Sequence, residues 1–91
     1  MASPPIILQA ADIPYSRTGR SDFMAIRWVG ATTAGHQVII TNQEDTEIWR
    51  AVATGVNFMH LDTMRRSWPY GFKVSTLDSG RLYFEWWEPQ N

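Results

Sequence analysis

Residues 72–87 constrain this chain more than any other segment. Two runs rich in β-branched and aromatic residues flank Leu77-Asp78-Ser79-Gly80. Glycine at the last position of so short a connection predicts a hairpin with a left-handed bulge residue. Along the second run Leu82, Phe84 and Trp86 share one face, because side chains alternate on a strand. Tyr83 and Trp87 put large rings on the opposite face, beside Glu85. A strand with a core on one side and water on the other does not carry rings on both. The pattern therefore predicts an apolar cover over the second face, either another layer of the domain or a partner.

The rest of the chain offers few apolar residues beyond those of a single small core. With 91 residues it predicts one domain. A chain of this size buries only roughly 60–65% of its unfolded surface, so it gains from a neighbour. Apolar residues make up 44%, too many for a disordered chain, and the net charge of −1 supplies no field for nucleic acid or anionic lipid. Seven of the eight basic residues are Arg and only Lys73 is Lys. Arg is favoured at interfaces because its planar fork pairs bidentately and stacks on rings, although a GC-rich genome has the same effect on composition. Cysteine is absent, which excludes disulfides and thiolate chemistry. The first eight residues lack the basic and apolar regions of a signal peptide, and no run reaches the ~20 apolar residues of a membrane span. The expectation is a soluble protein made in a cytosol.

Alternating segments predict an all-β fold, a compact antiparallel sandwich or small barrel of six to seven short strands. Pro4-Pro5 followed by Ile6-Ile7-Leu8-Gln9 reads as an extended arm or edge strand. Residues 10–22, with Pro14, Gly19 and several Ser and Thr, read as a polar connector. The division is therefore an arm and connector over 1–22 and a β domain over 23–91. Residues 24–29, 36–41 and 46–53 read as an antiparallel meander, with Met24, Ile26 and Trp28 on one face of its first strand. Residues 56–61 suit a strand. A short helix over 60–67, capped by Asp62 or Thr63 and ended by Trp68-Pro69, competes for the next stretch.

Candidate chemistry is thin. His36 and His60 have no companions at metal-ligand or catalytic spacing, so neither a metal nor a cofactor is expected. Asp12, Asp22, Asp45, Asp62 and Asp78 all sit where turn chemistry explains them. The aromatic residues carry more information. Trp28, Trp49 and Phe84 suit the core, whereas Trp68, Tyr70, Tyr83 and Trp87 suit an exposed or interfacial place. Together with Ile6, Ile7 and Leu8 of the arm, these four are the expected partner-binding residues. A carbohydrate platform or a single-stranded nucleic-acid surface would use exposed rings as well. Against nucleic acid, Arg17, Arg20, Arg65 and Arg66 are the only local basic spots.

The segment from Arg27-Trp28-Val29-Gly30-Ala31-Thr32-Thr33-Ala34-Gly35-His36, through Glu47-Ile48-Trp49-Arg50-Ala51, to Leu77-Asp78-Ser79-Gly80-Arg81-Leu82-Tyr83 resembles small virion-structure proteins of tailed bacteriophages. That resemblance covers roughly residues 22–85 and is one of strands and turns, so it brings no functional residues with it. It implies a non-enzymatic structural protein: a capsid decoration, head–tail or tail accessory, made in the host cytoplasm and residing in the virion. Its partners would be other virion subunits or further copies of itself, with no membrane and no nucleic acid. The alternative is a carbohydrate- or nucleic-acid-binding β-barrel.

Overall fold

The computed structural model describes residues 5–87. Among them are nine strands: β1 (Ile6–Gln9), β2 (Tyr15–Arg17), β3 (Ser21–Ala31), β4 (Gln37–Thr41), β5 (Glu47–Val52), β6 (Phe58–Asp62), β7 (Arg66–Trp68), β8 (Phe72–Leu77) and β9 (Arg81–Trp86). A single 3-10 turn, Ala10–Asp12, follows β1. Sheet I has the order β1-β9-β3-β6, with β7 also on β3; sheet II has the order β2-β8-β4-β5. The expected antiparallel β-sandwich is what forms. Its pairing is nested: β1 with β9, β2 with β8, β3 with β6 and β7, and β4 with β5. The chain is thus one long antiparallel hairpin, with its tip between β4 and β5, rolled into two sheets. That is the topology of a jelly roll.

The two sheets close over a core centred on three phenylalanines. The Phe23 ring lies 5.5 Å from Phe72 and 5.1 Å from Phe84, and Phe72 lies 4.9 Å from Phe84. Trp28 is fully buried and Trp49 nearly so, as their positions in alternating strands predict.

Three expectations change. Residues 72–87 do not form a hairpin, because β8 belongs to sheet II and β9 to sheet I. Residues 78–80 arch from one sheet to the other, and residues 32–36 do the same between β3 and β4. Of the expected meander only β4 and β5 are neighbours. The arches lock together. Trp28 Nε1 donates to Ser79 O at 2.8 Å, Thr32 N to Ser79 Oγ at 3.0 Å, and Gln37 N to Asp78 Oδ2 at 2.8 Å. Gly80 has φ +78°, and a Cβ there would lie 2.5 Å from Val29 O. Glycine is required at this position, but for an arch.

Secondly, of the two readings of residues 6–9 the edge strand forms, and the expected connector over 10–22 holds a further edge strand, so the stretch is built into both sheets. Strand β1 pairs with β9 from Ile6↔Phe84 to Gln9↔Arg81, and β2 pairs with β8. Edge strands of three or four residues tolerate the Pro- and Ser-rich composition that reads as a connector. Thirdly, residues 60–67 are not helical. Strands β6 and β7 both pair with the eleven-residue β3, and pairing to that long edge overrides the local cap signals.

Candidate functional site

The outward side of sheet I carries several exposed apolar side chains among polar ones. Register places Ile7, Tyr83, Arg27 and Leu61 in one row across β1, β9, β3 and β6. The next row holds Gln9, Arg81, Val29 and Met59. Met59 is 60% exposed, Leu61 51%, Ile7 50% and Met24 47%. Among the described residues, the only comparably exposed large apolar side chain on a strand of sheet II is Val52. Sheet II otherwise exposes Ser16, Arg17, Glu47, Arg50 and Ser75 on its strands. Exposed large apolar side chains on strands are thus concentrated on one side of the sandwich.

Strand β6 carries the clearest signal, because its alternation is inverted. Phe58, His60 and Asp62 turn inward: Phe58 meets the Trp28 ring at 5.7 Å, and His60 meets the Trp49 ring at 5.7 Å. Met59 and Leu61 turn outward. Sequence reasoning missed both, since apolar alternation is read as the core side by default. The inward parity of polar His60 and Asp62 was the available clue. Met24 was missed for another reason. A register shift between Phe23 and Ala25 puts Met24 out beside Ala25, between the inward Phe23 and Ile26.

Electrostatics complete the face. The Arg27 guanidinium lies over the Tyr83 ring at 4.6 Å and reaches Glu85 at 3.9 Å. Beyond the end of β9 Arg65 lies over Trp87 at 4.5 Å, and on the inward side Arg17 of sheet II lies over Trp86 at 4.7 Å.

The expected partner-binding residues are thus dispersed. Ile7 and Tyr83 meet as register partners on the outer face, and Trp87 stands beyond the end of β9. Leu8 belongs to the core, being 4% exposed, and Ile6 packs half-buried against it. Trp68 flanks the core, edge-on to Phe23 at 5.7 Å. Tyr70 is exposed on the turn between β7 and β8.

Polar clusters elsewhere serve the fold. His36 Nδ1 lies 2.8 Å from Ser79 Oγ, which also accepts from Thr32 N. A nucleophilic serine needs that imidazole oriented by a third group, and no carboxylate among the described residues bonds His36. The pair pins one arch to the other. Asp62 bonds Trp49, Arg66 and the Met64 amide but not His60. Burial pushes its carboxyl up, yet the three hydrogen bonds and the Arg66 charge outweigh this and hold it at about 2. Asp22 is also held below the usual range, chiefly by the Ser67 hydroxyl, with Arg20 adding to it against burial. Asp22 sits within a strand as an ion-pair partner, which corrects the expectation for it, whereas Asp62 ends β6 and takes the Met64 amide two residues on, as turn chemistry predicts, with the Arg66 ion pair added. Among the described residues no group of three His, Asp or Glu side chains could hold a metal. No protein family, curated protein or solved structure matches this chain.

Proposed function

We propose that this chain is a non-enzymatic structural protein of a tailed-phage virion, held in its assembly by the outer face of sheet I. The observation that carries the reading is the inverted β6, which presents Met59 and Leu61 to solvent while the polar His60 and Asp62 face in. Such a face is stable in isolation only at a cost that burial against another subunit removes. Jelly rolls recur in viral capsid domains, and that supports the virion reading by analogy alone. Jelly rolls recur in lectins too, but among the rings at the end of the sandwich and on its outer face a sugar would have to displace or share bound guanidinium groups. Tyr83, Trp86 and Trp87 each carry a guanidinium over one face. Mass spectrometry of purified particles from the host of origin tests the reading. Recovery of this chain at many copies per particle supports it; its absence from particles of a phage that expresses it refutes it.

A further inference from the structure

A pocket of about 210 Å³ opens where the start of β3, strand β7 and the residue after β9 converge, lined in part by Arg20, Asp22, Arg65, Arg66 and Trp87. This volume is below the roughly 300 Å³ at which small-molecule sites begin, so it suits one side chain better than a nucleotide or a sugar chain.

Its charges are unevenly spent. Arg20 pairs with Asp22 at 3.0 Å and also donates to Ser67 Oγ. Arg66 pairs with Asp62. Arg65 has no carboxylate partner among the described residues; its guanidinium lies over the Trp87 ring. Such stacking occupies the face of the guanidinium and leaves the N–H donors on its rim unspent, and that rim matches a carboxylate in geometry and charge. In a chain whose net charge is −1, this end of sheet I is locally positive. The pocket also adjoins the uncovered face, since Asp22 and its register partner Ser67, both in its wall, have the outward parity between the inward Ser21↔Trp68 and Phe23↔Arg66 pairs.

We propose that this pocket anchors a carboxylate side chain, Asp or Glu, of the protein that covers the outer face of sheet I. The inference rests on the partner-binding reading above and supplies the partner's chemistry. Arg65 donates from its rim, Trp87 walls the aliphatic stem, and the Asp22–Ser67 pair holds Arg20 at the mouth.

The test is NMR titration of the full chain, following the Arg65 Nε–H and Trp87 indole signals. The probes are N-acetyl-glutamate amide, its glutamine analogue and inorganic phosphate. The glutamate probe is expected to move both signals saturably, and R65Q to weaken it about tenfold, as loss of one charge-assisted hydrogen bond implies. R65Q should keep the wild-type thermal transition, because Arg65 is exposed. Equal shifts with the glutamine analogue, no saturation, or tighter binding of phosphate would overturn the proposal. Failure here, with loss of virion incorporation on substitution of Leu61, removes only the pocket assignment. Saturable binding here with normal incorporation of those variants removes the docking face instead.

Discussion

The indole Nε1 of Trp49 on β5 donates to the carboxylate of Asp62 on β6 at 2.9 Å, tying an edge of sheet II to an edge of sheet I. Arg66 completes the tie from β7. The Asp62 carboxyl is held at about 2 against an ordinary 3.8, so the ionised form belongs to the folded state. Its stabilisation is present above pH 3.8 and is lost as the pH falls through this range towards 2. The loss amounts to ~2 kcal/mol. Asp22, shifted in the same direction, adds to the acid lability. Asp62→Asn should lower stability at neutral pH and flatten the decline between pH 4 and pH 2. Urea melts of both proteins across that range check it; parallel pH profiles would show that Asp62 carries none of the dependence.

The two parities of β9 should respond very differently. Phe84 is fully buried between Phe23 and Phe72, and Phe84→Ala should cost ~3–5 kcal/mol. Tyr83 stands on the outer face beneath Arg27, so Tyr83→Ala should cost the isolated domain ~1 kcal/mol or less. Chemical denaturation of the two variants measures the gap. Equal losses would place both parities inside the fold.

The N-terminal strand should be indispensable to folding. Leu8 fills the core and β1 completes the edge of sheet I against β9. Removal of residues 1–9 should abolish or sharply lower the cooperative thermal transition, and Leu8→Ala should cost ~2–3 kcal/mol. Calorimetry decides, and an unchanged transition on truncation would show β1 to be dispensable.

Gly80 should tolerate no side chain. Its φ of +78° and the approach of Val29 O to 2.5 Å from any Cβ make Gly80→Ala a clash between arches. The expected loss is well above the ~1 kcal/mol of a positive φ alone. Ser79→Ala, which removes the acceptor for Thr32 N and the partner of His36, should lose ~1–2 kcal/mol.

Much of the sandwich was legible in local pattern, and its wiring was not. Strands β4 and β5 stand out because Val38, Ile40, Trp49 and Ala51 alternate with exposed or half-exposed neighbours. Strands β2 and β7 have three residues each, too few for any period to register. The arch at 78–80 has the same local chemistry as a hairpin turn. Only contacts 51 residues apart in sequence, such as Trp28 with Ser79, separate the two outcomes. On the candidate face, Tyr83 was visible because a ring on the second parity of β9 breaks the rule for a half-buried strand. Met59 and Leu61 were hidden because burial preference assigns them inward, and Met24 because a bulge shifts parity without altering the sequence pattern.

The central claim is that the outer face of sheet I is where a partner docks. Met59 and Leu61 stand on β6 at its edge, each more than half exposed, so M59E/L61E should change the stability of the isolated domain by only ~0.5 kcal/mol. The decisive measurement is the number of copies of this chain per purified virion when the double variant replaces the wild type. The account predicts a folded protein, with an unchanged thermal transition, that is lost from the particle; incorporation equal to wild type would contradict it.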